Sequence, residues 1–228
     1  MSTIQANLIE PSSGTTVTFG ASGDTVAVGS GATASGFSGG LDSVQTFTSS
    51  GTWTRPSGIT KVIMEVQGAG GGGSHGTQNI GGAGGGYCKK FLDVSSISTS
   101  TITVGAAGAA VANGSTGSGG NGGASSWADG TNTVTGAGGA GGNQTSGYSA
   151  GGTGTGGDIN IAGVSISIHK PTTGGDSFLG GAGMYLHSGA SAGVGDGTGY
   201  GGGGSAWSGY SLPTGAGAPG IVIVWEYK

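Results

Sequence analysis

Glycine recurs at every third position in three separate stretches of this chain: Gly114, Gly117, Gly120 and Gly123; Gly136, Gly139 and Gly142; Gly151, Gly154 and Gly157. A period of three belongs to the polyproline-II-type helix, which rises about 3.1 Å per residue and has no internal hydrogen bonds. Glycine at each third place leaves one face of bare backbone. Several such segments can then pack closely and exchange N–H···O=C bonds sideways, which satisfies groups that burial would orphan. A collagen is disfavoured, because the chain has five prolines and the period soon breaks. The competing reading is a set of flexible Gly/Ser linkers. Glycine makes up 60 of the 228 residues, and ordering a residue costs about 1–2 kcal/mol of backbone entropy, most for glycine. Packing against identical chains, or docking in a larger particle, is therefore expected to help offset that cost.

Three zones follow from composition. Residues 1–40 hold short alternating runs, Val17-Thr18-Phe19 and Val26-Ala27-Val28, separated by Gly20, Gly23 and Gly29. Such runs are too short for a self-sufficient sheet, so they predict an intertwined β stem, wound from several chains, that attaches the rest. Residues 41–104 together with 219–228 carry strand patterns at Val44–Thr48, Thr52–Thr54, Lys61–Gln67, Tyr87–Val94, Thr99–Val104 and Ile221–Tyr227. The last is rich in β-branched and aromatic residues and reads as a core strand. Pro56-Ser57-Gly58 predicts a tight turn. These strands predict a small β-sandwich. Residues 105–218 form a long glycine-rich insertion of packed polyglycine-II-like helices, interrupted by β segments at Ile159–Ile161 and Val164–Ile168. The chain reads as all-β, with a stem at 1–40 and one domain at 41–228.

Charge excludes several classes. Charged residues are 7% of the chain, against about 25% in ordinary domains. Six cationic residues and a net charge of −4 give no basic stripe, so no nucleic-acid partner is expected. No run of 18 apolar residues is present, so no membrane insertion is expected. The opening residues lack a basic and an apolar region of the secretory kind, and assembly in a cytoplasm is expected. The lone Cys88 excludes an intrachain disulfide and reads as a small buried hydrophobe.

The residues offer little for catalysis. His75, His169 and His187 have no metal-ligand spacing, so no metal or cofactor is expected. Four of seven aspartates, Asp24, Asp158, Asp176 and Asp196, follow a glycine and read as turn residues. Gly68–Gly73 contains the spacing Gly-x-Gly-x-x-Gly, but Ser74-His75-Gly76-Thr77-Gln78 cannot supply the helix that a dinucleotide site needs. The chain is read as no enzyme. The aromatics are more informative. Tyr148, Tyr185, Tyr200, Trp207 and Tyr210 stand between glycine runs, near His187, in the Ser/Gly/Asn company typical of binding loops. Tyr148, Tyr185, His187 and Tyr210 are the candidate receptor-binding residues, whereas Trp207 reads better as a gap filler.

Several blocks carry a family resemblance. The opening Ile9–Thr25 resembles the N-terminal motif of structural proteins from marine tailed phages. Phe47-Thr48-Ser49-Ser50-Gly51-Thr52-Trp53-Thr54-Arg55-Pro56, followed by Gly58–Val62, resembles the start of the glycine-rich domain of phage tail-fibre proteins. Gly85-Gly86-Tyr87, Thr101–Gly105, Gly119–Ser126, Gly156–Ile161 and Gly217–Val224 follow in the same order. The resemblance implies a virion fibre or fibre tip on the outside of the particle, a homotrimer that meets the host surface. It implies attachment to other virion proteins through residues 1–40 and contact with a host glycan or outer-membrane protein. The rival readings are an architectural virion appendage without its own receptor and, more remotely, an ice-binding or surface-matrix protein. Interruption of the glycine zone by aromatics disfavours the flat face an ice binder needs.

Overall fold

The computed structural model of the chain describes residues 40–167, 173–184, 194–207 and 212–228; the expected stem lies outside these. The described chain is all-β, with twelve strands: β1 Leu41–Phe47, β2 Gly51–Thr54, β3 Lys61–Gln67, β4 Tyr87–Asp93, β5 Thr99–Thr103, β6 Ser125–Ala128, β7 Thr133–Gly136, β8 Tyr148–Ser149, β9 Gly154–Thr155, β10 Ile159–Ile161, β11 Ile166–Ser167 and β12 Ile221–Tyr227. Two five-stranded antiparallel sheets form, ordered β1-β12-β3-β4-β10 and β2-β5-β6-β7-β9, with β8 and β11 as a separate pair. β12 is an interior strand, second from the edge: Trp225 pairs Val44 on one side and Ile63 on the other. The turn before β3 closes with Ile59 N–H donating to Pro56 O at 3.2 Å, and Gly58 has φ +83°.

Alternation on each strand builds the core between the two sheets. Val62, Met64, Val66, Cys88, Val222 and Val224 face in from the first sheet. Trp53, Ile102, Trp127 and Val134 face in from the second. The rings of Trp53 and Trp127 lie 4.7 Å apart at 50°, a tilted arrangement that aromatic pairs favour. One charged group shares this interior. Glu226 on β12 is 1% exposed. It accepts hydrogen bonds from Trp53 Nε1 at 2.7 Å, Gln45 Nε2 at 2.8 Å and Ser43 Oγ. A buried carboxylate is tolerable only when so partnered, and the Trp53 bond ties the two sheets together.

Beyond the sandwich the strands run on as glycine segments. β3 continues into 68–75 and β5 into 105–111, β7 leads into 136–142, and 80–86, 117–124 and 212–220 lead into β4, β6 and β12. No helical element is present among the described residues. In place of the packed helices expected there are extended runs whose N–H groups donate laterally. In the run 68–75 the target changes with period three. Gly68, Gly71 and Ser74 donate to Gly86, Ala83 and Ile80; Ala69, Gly72 and His75 donate to Gly123, Gly120 and Gly117; Gly70 and Gly73 donate to Ala218 and Gly215. The same run accepts from Gly139 and Gly142, from Gly108 and from Gly204. It is therefore surrounded by six other runs. Gln67, fully buried, sits where period two gives way to period three; its Nε2 donates to Gly68 O, Gly85 O and Gly86 O.

This environment gives Gly68-Ala69-Gly70-Gly71-Gly72-Gly73 a reason the nucleotide-site comparison missed. A Cβ at Gly68, Gly70, Gly71, Gly72 or Gly73 would overlap the carbonyl of Ala137, Gly202, Ala140, Ala109 or Ser205 respectively. A run enclosed on every side has room for almost no side chain. Outer runs follow a different rule, Gly-Gly-x. A Cβ at Gly119, Gly120, Gly122, Gly123, Gly138, Gly139, Gly141 or Gly142 would come within 3.0 Å of neighbouring backbone, while Asn121 takes the third, exposed position. Gly114 and Gly117, which share the expected period, have no atom within 4 Å of that direction. Four strands, β6, β7, β9 and β10, also come from the segment expected as insertion and join the two sheets.

Candidate functional site

Side chains at the surface of such a lattice are few, so the places where they gather are informative. The pair β8–β11 sits on the edge of the glycine runs, with Tyr148 opposite Ser167 and Ser149 opposite Ile166. Ser149 Oγ anchors β8 by donating to Ala140 O at 2.7 Å or Gly141 O at 3.0 Å. Tyr148 is 53% exposed and its hydroxyl donates to Ser165 Oγ at 3.2 Å. Beside this pair lies a hollow of about 420 Å³, lined by Val164, Ile166, Thr173, Gly174, Asp176, Gly181, Ala182 and Met184. Val164 and Met184 are 49% and 64% exposed at its surface.

The runs that form the hollow are held by backbone bonds. Val164 N–H donates to Asp176 O at 2.9 Å and Gly174 N–H to Gly183 O at 2.9 Å. Asp176 Oδ1 accepts from Ala182 N–H at 2.7 Å. Asp176 was expected as a turn residue; its carboxylate instead links two neighbouring runs. Asp196 does the same towards Ala216; Asp158 lies in the bend at 156–158, as a turn residue should, and its carboxylate accepts from Phe91 N–H. Such bonds let a short carboxylate replace a lateral backbone bond.

Of the four candidate residues, Tyr148 is placed at this edge. Tyr185, His187 and Tyr210 lie outside the described residues, although Tyr185 directly follows Met184 in sequence. Trp207 is 6% exposed, in accord with a gap filler, and His75 is buried with Nδ1 2.6 Å from Ser115 O. Val164, Ile166, Asp176 and Met184 were not among the site residues the sequence suggested. The alternation Val164-Ser165-Ile166 was the available signal, but it reads equally as a buried strand.

A second hollow, of about 370 Å³, lies among the loops next to β4 and β6, lined by Asp93, Ser96–Thr99, Asp129, Thr131 and Asn132. The Asp93 carboxyl is held below the ordinary range by hydrogen bonds from Ser95. Burial pushes the Asp129 carboxyl up, but bonds from Asn132 and Thr131 outweigh it and the net direction is down. Asp93 accepts from Ser95 N–H, and Asp129 from Thr131 N–H and Asn132 N–H, so both carboxylates fasten their loops. Burial raises the Tyr87 hydroxyl well above its usual range, with Glu65 adding to the effect. Burial also pushes the Cys88 thiol up to about 11, against a smaller opposing bond from Thr155. Among the described residues no group of three or more His, Cys, Asp or Glu side chains could hold a metal ion, and no helix is long and apolar enough to cross a membrane.

Comparison with protein families matches the one described as "Glycine-rich domain" over residues 43–227. A search of curated proteins finds no match.

Proposed function

This chain belongs to the glycine-rich domain family, and from that premise we propose that it is a virion structural protein, a tail-fibre or fibre-tip component that contacts the host cell surface. The observation that carries the reading is the contrast between lattice and edge. Packed glycine runs offer a partner almost no side chains, whereas the edge at β8–β11 presents an exposed Tyr148 and, beside the pair, a hollow bounded by Val164 and Met184. Binding residues sit disproportionately on segments that a rigid scaffold positions, and here the scaffold is fixed mainly by lateral backbone bonds. The order of phage-fibre-like blocks from Phe47 to Val224 supports the same reading. In it, residues 1–40 join the chain to other virion proteins, three copies associate, and the partner is a host glycan or outer-membrane protein. Three copies would multiply individually weak contacts through avidity. The test is adsorption of particles carrying Tyr148→Ala, Tyr185→Ala and Tyr210→Ala together. Adsorption should fall steeply; unchanged adsorption with an unchanged melting curve refutes the adhesin reading.

One feature favours the architectural rival. The outer face of the first sheet carries Val44, Trp225, Ile63 and Phe91 side by side in register, with Leu41 and Ile159 nearby. Phe91, Leu41 and Ile159 are each at least half exposed. Apolar rows of this kind mark contact surfaces, and another virion protein would fit there. Ile63→Lys with Phe91→Lys should leave the free chain folded but deplete it from particles if that face is the attachment surface.

A further inference from the structure

We infer that the hollow beside β8–β11 receives the side chain of a lysine or arginine presented by a protein loop; this rests on the adhesin reading and names the partner's chemistry. Three observations converge. First, its walls are aliphatic: Val164, Ile166, Ala182 and Met184, with the buried backbone of Gly174 as floor. Second, one ionisable group lines it, Asp176. One oxygen of that carboxylate is committed to Ala182 N–H, and among the described residues it has no ion-pair partner. Third, no described cationic side chain lines the space.

A cationic side chain matches this arrangement part by part. Its methylene stem lies along apolar surface while its charged head stays at the wet rim. Here Val164 and Met184 would take the stem and the second oxygen of Asp176 the head. Charge-assisted bonds of that kind are roughly twice as strong as neutral ones. A sugar ring matches less well. It presents a flat apolar face that stacks on aromatic rings, together with several hydroxyls that each want a partner. The described lining has no aromatic ring and one carboxylate already half used. The space also lies at the lower end of the range typical of small-molecule sites, about 300–1,000 Å³, which suits one side chain and not an oligosaccharide.

The experiment is chemical-shift mapping on the purified full chain with three probes: N-acetyl-lysine amide, N-acetyl-norleucine amide and methyl glucoside. The lysine probe should move the signals of Val164, Ile166, Ala182 and Met184, and the norleucine probe should bind about 2- to 5-fold more weakly, the range of an exposed ion pair. Asp176→Asn keeps an oxygen for Ala182 N–H and should erase that difference without changing the melting curve. The inference is overturned if methyl glucoside moves these signals and the lysine probe does not, or if no probe moves them. It is also overturned if Lys170→Ala strengthens lysine binding, because the chain's own cation would then be the occupant. An antibody against the chain, tested for block of adsorption, separates the two levels. Block without lysine binding sinks the subsite and keeps the adhesin; absence of block sinks the adhesin.

Discussion

Replacing one glycine by alanine at two positions with the same period should give opposite results. At Gly139 a Cβ would overlap Ala83 O, and Ala83 is fully buried. Backbone on both sides leaves nothing flexible to give way, so the run 136–142 must withdraw from the run 80–86. Two bonds join those runs, Ala83 N–H to Ala140 O at 2.9 Å and Gly86 N–H to Ala137 O at 2.8 Å. Losing a bond and leaving its buried groups unsatisfied costs about 1–3 kcal/mol, so two cost about 2–6 kcal/mol. For a domain of this size a change of 1 kcal/mol moves Tm by about 2–4 °C, and Gly139→Ala should therefore lower Tm by roughly 4–24 °C. At Gly117 no atom lies within 4 Å of the Cβ direction, and the residue is not among those with positive φ. There alanine removes freedom from the unfolded chain and should stabilise by about 0.4–1 kcal/mol. Calorimetry on both variants decides the matter. Equal melting of the two, in either direction, would refute the argument that lateral contact is what requires glycine.

Other outcomes follow from the same geometry. Glu226→Ala strands the buried Trp53 Nε1 and removes the acceptor of the half-buried Gln45, and should cost about 3–6 kcal/mol, since bonds to a charged group are worth about 1.5–3 kcal/mol each; urea unfolding followed by tryptophan fluorescence measures it, and a loss below about 0.5 kcal/mol would refute it. The Cys88 thiol, raised to about 11 by burial, should resist alkylation at pH 8 in the native chain and react promptly in urea. The unfolded chain releases that proton at lower pH than the folded one, so stability should fall as pH rises from the ordinary thiol range towards 11, and Tyr87 shifts in the same direction; a denaturation midpoint that rises over this window would contradict the sign. Light scattering on the purified chain should give three times the monomer mass, and a stable monomer would overturn the trimer.

The sandwich was legible where alternation was strong. Lys61–Gln67 and Ile221–Tyr227 appear with the bounds expected, because each combines β-branched residues with period two over seven residues. Ser125–Ala128 and Thr133–Gly136 escaped notice because four residues with a single large apolar group, Trp127 or Val134, carry almost no periodic signal. Pairing with β5 and closure over the core make them strands. In the glycine zone the period of three and the lateral bonding it permits were visible, but which glycines the packing encloses was not. A repeat read from every third glycine weights Gly114 and Gly117 equally with Gly120 and Gly139, and their surroundings differ. At the candidate edge, Tyr148 was legible as an aromatic among small residues. Asp176 and Met184 were not, since only the third dimension brings run 173–176 against run 181–184.

The Gly-Gly-x rule also bears on how such a domain could carry binding loops. In a β-sheet a sequence change on one strand alters packing against its neighbours, so an edge is tied to the core. In this lattice the bonds are backbone to backbone, and the contacts that exclude a Cβ are mostly with carbonyl oxygens. The scaffold thus demands smallness at two positions in three and demands nothing else of the residues between the runs. Segments joining adjacent runs, such as 145–147 before β8, can change in composition without disturbing any lateral backbone bond. Beyond Gln144, whose carbonyl accepts from Gln78 N–H at 3.0 Å and whose N–H donates to Ser118 Oγ at 3.4 Å, their fastening is local: Asn143 Oδ1 accepts from Thr145 N–H at 2.8 Å and Ser146 N–H at 2.9 Å. It follows that replacing 145–147 by an unrelated three-residue turn should leave Tm within about 2 °C, under about 1 kcal/mol for this size. A larger drop would show that the loops are part of the lattice's own stability, and the separation of scaffold from binding edge would fail with it.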